Sequence, residues 1–182
     1  SYSDIGHMWV DDLCRIMDCL MNGVGVGFGP VTTGLVLAEP TETHEYQIPD
    51  TREGWVESVR QILEAFDMGG SLPIFDYSII RPAGTPIRTF GGIASGPEPL
   101  LQLHAKLVEL SYEYINDDSY TETEYKSDLA NLIGVCVISG NVRRSAEIAC
   151  GEHDDEIFWQ LKNYEKHPRR EQWGWMSNNS IK

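Results

Sequence analysis

Four arginines of this chain stand where a phosphate could be gripped. Arg81 and Arg88 bracket the rigid turn Pro82-Ala83-Gly84-Thr85-Pro86, and Arg143 and Arg144 follow the turn Gly140-Asn141, with Val142 before them and Ser145 after. A guanidinium offers a planar fork of donors that matches two phosphate oxygens at once. Strand ends in α/β proteins are where ligands of this kind bind. Two such loops in one chain suggest a phosphorylated small molecule as ligand. The plainer reading is that these arginines are solvated or pair with the chain's many carboxylates, and spacing alone leaves both open.

The remaining reactive side chains carry less. Cys14, Cys19, Cys136 and Cys150 form no CxxC pair and lack a histidine at zinc-finger spacing, which argues against a structural metal and against a disulfide scaffold. A reducing, cytoplasmic setting fits them. Cys136 lies in an apolar run and reads as inert core, and Cys150, beside Gly151, has no activating group next to it in the sequence. His104 falls on the apolar face of a helix and reads as a satisfied core histidine. The run Gly23-Val24-Gly25-Val26-Gly27-Phe28-Gly29 follows a helix instead of preceding one, so it is not a dinucleotide fingerprint. It suits a strand bared on one face, where another element or a ligand can approach the backbone. No GxxxxGK[ST], GxSxG or HExxH occurs, nor a nucleophile with a base at convincing spacing.

The elements that must position these residues can be read from periodicity. Apolar residues from Ile5 through Trp9, Leu13, Ile16 and Met17 to Met21 predict a first helix ending at Asn22-Gly23. Residues 30–50 read as loop or weak hairpin, with Val36 and Ile48 in short extended pieces. Asp50-Thr51-Arg52-Glu53 predicts a capping box, and Trp55, Val59, Ile62, Leu63 and Phe66 the stripe of a second helix ending at Gly69-Gly70. Pro73 to Ile80 reads as a strand and Arg81 to Gly96 as a long polar loop. A third helix starts near Pro97 with Ser95 as cap. Residues 115–127 read as an acidic connector, and Leu129 to Ser139 as a short helix followed by a buried strand over Val135-Cys136-Val137-Ile138. Asp154-Asp155-Glu156 opens a last amphipathic helix. Helices alternating with short buried strands predict an α/β fold.

Size and charge bound the rest. The 182 residues suit one unit, residues 1–182, with 41% hydrophobic and 23% charged side chains. No stretch is apolar enough to span a membrane, and the N-terminus lacks a signal pattern. A net charge of −14 would repel a polynucleotide. The chain opens Ser1-Tyr2-Ser3-Asp4 without a methionine and closes at Ile181-Lys182 just after an apparent strand start, so it reads as a piece of a longer protein.

Three longer motifs carry a resemblance: Ser78-Ile79-Ile80-Arg81-Pro82-Ala83-Gly84-Thr85-Pro86-Ile87, Gly91-Gly92-Ile93-Ala94-Ser95-Gly96-Pro97-Glu98-Pro99-Leu100 and Gly140-Asn141-Val142-Arg143-Arg144-Ser145-Ala146-Glu147-Ile148. With Met21 to Phe28, Arg52 to Ser58 and Trp175 to Ser180 in the same order, the sequence resembles the adenosylcobalamin-dependent, monomeric class II ribonucleoside-triphosphate reductases over essentially its whole length. The resemblance implies part of a ten-stranded α/β barrel, its first half. It also implies an enzyme that reduces ribonucleoside triphosphates to deoxyribonucleotides by cobalamin-initiated thiyl-radical chemistry, with a thioredoxin-type reductant. In that family the radical cysteine with its asparagine and glutamate, and the cobalamin-binding part, lie downstream of Trp175–Ser180, and one reducing cysteine lies upstream of the first helix. No catalytic residue is therefore assigned here, and the cofactor is expected outside this chain. What the resemblance places here is specificity: loops matching Arg81–Arg88 and Gly140–Ser145 that bind a deoxynucleoside triphosphate effector and relay its identity to the substrate base. Residues 30–77 resemble an insertion that builds the effector site within one monomer. A stand-alone nucleotide-binding regulatory module without catalysis is the competing reading.

Overall fold

In the computed structural model, residues 1–87, 92–139 and 145–181 are described. The chain runs β1 (Tyr2–Ile5), α1 (Trp9–Met21), β2 (Val26–Pro30), β3 (Glu42–Gln47), α2 (Arg52–Met68), β4 (Ser71–Asp76), α3 (Glu98–Asn116), α4 (Glu122–Ile138), β5 (Glu147–Gly151), α5 (Glu156–Gln160), a 3₁₀ turn at Pro168–Gln172, and β6 (Ser177–Ile181). Four strands form a parallel sheet in the order β1-β2-β5-β6, and β3 pairs in parallel with β4 as a separate two-stranded sheet. The α/β expectation holds. What is seen here of a barrel is one open parallel sheet.

One face of that sheet is covered by α1 and α4, where Ile5, Val26, Phe28 and Ala149 meet Leu13, Met17, Leu20, Leu129 and Ile133 in a single buried cluster. The other face carries Tyr2 and Ile148, both exposed. The alternating glycines of β2 now have a local reason. A Cβ on Gly27 would stand 2.8 Å from the Tyr2 ring, and one on Gly29 would stand 2.6 Å from the Tyr2 hydroxyl and 2.8 Å from the Asp4 carboxylate. Bare backbone lets the β1 side chains lie across the neighbouring strand.

Several boundaries differ from the sequence expectation. Ile5 belongs to β1, and α1 starts at Trp9. Residues 42–47 are a strand paired in parallel with β4, so the weak hairpin is replaced by a pairing that spans α2. The strand expected over Pro73 to Ile80 is β4, two residues earlier at its start and ending at Asp76. Thr51 does cap α2 by accepting from the Gly54 amide, but N3 is glycine, so no reciprocal carboxylate closes a capping box there. At the head of α3 the residue before the helix is Pro97, and Ser95 bonds the Gly96 carbonyl instead of capping. The largest correction concerns 115–139. There is no long connector and no strand at Val135–Ile138: Thr121 and Glu124 form a true capping box, and α4 runs unbroken to Ile138. A helix wrapped by the sheet on one side and α1 and α3 on others is buried nearly all round, and its apolar last turn then looks like a buried strand.

Candidate functional site

The principal cleft among the described residues, about 480 Å³, opens where five pieces of chain converge. Asp50, Thr51, Arg52, Glu53 and Trp55 supply the start of α2, and Ile80, Arg81 and Ile87 the segment after β4. Residues 93–96 close one side, and the C-terminal ends of α1 (Met21, Asn22) and α4 (Cys136, Val137) form the floor. That volume lies within the range of small-molecule sites.

Each polar wall has an identifiable support. Thr51 caps the start of α2, whose first turn lines the cleft, and the helix N-terminus adds a favourable potential for anions. Gly54 lies so close to Pro49 that a Cβ would press on the Pro49 carbonyl oxygen. Gly54→Ala is therefore expected to cost about 1–3 kcal/mol as the loop entering Asp50 is pushed aside. The thermal unfolding midpoint measures this, and an unchanged midpoint would mean the loop yields freely. Beyond Arg81, Gly84 takes a φ of +87°, the left-handed region open to glycine. Backbone bonds Gly84 N to Ala94 O (3.0 Å) and Ala94 N to Thr85 O (2.8 Å), with the bridge Pro86–Ile93, tie residues 82–87 to 92–96.

The arginines in the cleft do not stand free. Arg81 donates from Nε to Asp50 Oδ2 at 2.7 Å, and its Nη2 reaches the Asp50 carbonyl at 3.4 Å. Nη1 has no partner among the described residues, so one corner of the fork remains for another acceptor. Arg52 pairs with Glu53 at 2.6 Å and with Asp18 of α1 at 3.1 Å. The carboxylate pairing considered from spacing is thus present at Arg81. Cys136 lines the cleft, and burial pushes its thiol up to about 12, so it stays protonated and is no nucleophile.

Of the residues singled out from sequence, Arg81 is on the cleft wall. Pro82, Ala83, Gly84 and Thr85 form the turn beyond it, where the Thr85 hydroxyl bonds the Pro82 carbonyl at 2.8 Å. Ser145 anchors the start of β5 by donating to the Leu20 carbonyl at 2.7 Å. Arg88, Gly140, Asn141, Val142, Arg143 and Arg144 lie outside the described residues. Their described flanks are informative: Ile87, next to Arg88, and Val137, three residues before Gly140, both line the same cleft. Sequence reasoning passed over Asp50, Arg52 and Trp55 because a helix start and an apolar stripe explained them. A signal was available, since a basic residue in the first turn opposes the helix dipole and so asks for another reason to be there.

A family model described as the insertion domain of B12-dependent ribonucleotide reductase matches residues 25–110. An adenosylcobalamin-dependent ribonucleoside-triphosphate reductase of Euglena gracilis is 45% identical over 170 residues, covering 91% of this chain and 23% of its own length. A probable enzyme of the same name from Dictyostelium discoideum is 40% identical, covering 91% and 24%. The Lactobacillus leichmannii enzyme is 38% identical over 80% of this chain and 20% of its own. A crystal structure of a B12-dependent, class II ribonucleotide reductase superposes with a TM-score of 0.72 at 27% identity, over 94% of this chain and 28% of that one. The chain thus spans about a quarter of the length of the curated relatives it matches.

Proposed function

From the premise that the chain belongs to the B12-dependent ribonucleotide reductases, we propose that it supplies the effector and substrate-specificity portion of an enzyme reducing ribonucleoside triphosphates. The effector is a deoxynucleoside triphosphate bound in the cleft, and the loops at 81–88 and 140–145 pass its identity to the substrate base. Residues 30–77 lie within the span matched by the insertion-domain model and contribute one wall of the site. The enzyme acts as a monomer with a thioredoxin-type reductant.

One observation carries this reading. The described flanks of both arginine-bearing loops, Ile87 and Val137, meet the first turn of α2 and Arg81 around a single nucleotide-sized cleft. A triphosphate entering it would compete with Asp50 for Arg81 and with Glu53 for Arg52, exchanging one charge-assisted bond for another. A loop whose arrangement differs with the occupant can couple two pockets by typically about 1–3 kcal/mol.

Adenosylcobalamin would supply the radical chemistry when bound to the complete enzyme. Among the described residues no histidine lines this cleft, and its volume suits one nucleotide, so none of them is assigned to the cofactor. The role of these residues is to bind and to discriminate.

Direct binding of deoxynucleoside triphosphates to the full-length enzyme tests the assignment. Arg81→Ala should weaken binding about tenfold to a hundredfold, the usual worth of a hydrogen bond to a charged group. Arg143→Ala or Arg144→Ala should disturb the effector-dependent choice of substrate more than effector-free reduction. Unaltered binding and unaltered choice in all three variants would sink the reading.

A further inference from the structure

We infer that His104 is a positioning residue for the cleft, fixing the spacing between its Arg52 wall and its Arg81 wall without touching the ligand. The inference rests on the nucleotide-binding role proposed for the cleft. It begins from hydrogen-bond directions. The Ser58 hydroxyl donates to the Trp55 carbonyl at 2.7 Å, which spends its proton. Its oxygen must then accept from His104 Nε2, 2.9 Å away. The imidazole therefore carries its proton on Nε2, and Nδ1 accepts from the Tyr77 hydroxyl at 2.8 Å. The chain runs one way: Tyr77 to His104 to Ser58 to the backbone of Trp55.

One end of this chain lines the cleft, and the other holds the turn that leads into its opposite wall. Trp55 lines it directly and sits one residue beyond the first turn that carries Arg52 and Glu53. Tyr77 follows β4, and its carbonyl accepts from the Ile80 amide at 3.0 Å, so it closes the turn that delivers Ile80 and Arg81. His104 itself belongs to α3, is 3% exposed and does not line the cleft. The Phe75 ring lies against it with centroids 4.4 Å apart, which leaves the imidazole little rotational freedom. Burial pushes its pKa down to about 3 and the Tyr77 phenol up to about 12, so the proton arrangement is the same across the working range of pH. A buried, satisfied, neutral histidine joining three elements is a strut, and the elements it joins hold the two arginines.

The test uses the full-length enzyme and measures its dissociation constants for the four deoxynucleoside triphosphates beside its thermal unfolding midpoint. Tyr77→Phe removes one donor and keeps the ring, so it should weaken nucleotide binding about threefold to tenfold while moving the midpoint little. His104→Phe should weaken it at least as much, and His104→Gln, whose amide can still donate to Ser58, should recover part of the loss. If His104→Phe fails to fold, Tyr77→Phe decides. Affinity unchanged in Tyr77→Phe, or lost only in step with a falling midpoint, overturns the inference. If the parent enzyme binds nucleotide and Arg81→Ala weakens it while Tyr77→Phe does not, His104 alone loses its role. If the parent binds none, or Arg81→Ala binds as tightly as the parent, it is the cleft assignment that fails.

Discussion

Asp128→Ala should destabilise the protein by about 3–5 kcal/mol, the cost of removing one partner from a buried ion-pair network. Asp128 is 2% exposed on α4 and accepts from four groups. Arg170 reaches it from Nε at 3.0 Å to Oδ1 and from Nη2 at 3.0 Å to Oδ2. The Trp173 indole donates at 2.6 Å and the Tyr120 hydroxyl at 2.8 Å. Arg170 is 3% exposed and would keep Glu124 alone, 3.0 Å from Nη1. Trp173 and Tyr120 would be left with buried donors and no acceptor. This one carboxylate ties the 3₁₀ turn and the approach to β6 onto α4, so the expected result is early loss of the C-terminal part. Equilibrium urea unfolding followed by tryptophan fluorescence measures it. Asp128→Asn, which retains one acceptor oxygen, should fall between alanine and the parent. A midpoint within experimental error of the parent for Asp128→Ala would refute the account.

The second large effect is expected at Lys126, which is wholly buried one turn after Glu122 on α4. Its ammonium donates to Glu122 at 2.6 Å and to the Val31 carbonyl at 2.7 Å. Glu122 in turn accepts from the Thr33 amide (2.9 Å) and hydroxyl (2.8 Å) and from the Gly34 (3.0 Å) and Leu35 (3.1 Å) amides. The pair therefore pins the loop after β2 onto the head of α4. Burial raises the Glu122 carboxyl, but bonds from Lys126, Thr33 and the Leu35 amide outweigh it and hold it near about 2. Because the folded value lies below the unfolded one of 4.5, the stabilisation is complete above that value and is lost as pH falls through about 2. Lys126→Met should cost about 3–5 kcal/mol at neutral pH and should remove most of the stability otherwise lost between about pH 5 and 2. The double variant Glu122→Gln with Lys126→Met should cost less than the single, since no charge then remains buried. Measured stability as a function of pH decides, and an acid limb unchanged by Lys126→Met would contradict the sign worked out here.

Much of the fold was legible because local signals and burial agree. The stripes of α1, α2 and α3 have helical period, Thr51 and Gly69 stand at the two ends of α2, and Gly69 takes the left-handed conformation that ends a helix. Where they disagree, the sequence misleads. The first half of α4 carries Glu122, Glu124, Lys126 and Asp128, all buried and all paired. Charges in a row look like a solvated connector, and only their partners at Thr33, Arg170 and Trp173, far off in sequence, make their burial tolerable. β1 and β3 were unreadable for a related reason: a parallel strand gets its partner from a crossover, not from its neighbour in sequence.

For the site the division follows the same line. Sequence by itself determined the chemistry available: scarce arginines in two glycine-bearing loops, no nucleophile with a base, and motifs in an order that identifies the family. That information is held in residue types and short spacings, which survive without coordinates. Only the tertiary structure decided which arginines meet. Arg52, read as part of a helix start, joins Arg81 on one cleft because α2 and the segment after β4 pack side by side across α3. It also decided the state in which Arg81 waits, bonded to Asp50. Such juxtapositions come from packing apolar faces together, and the polar groups carried on their rims are placed as a consequence.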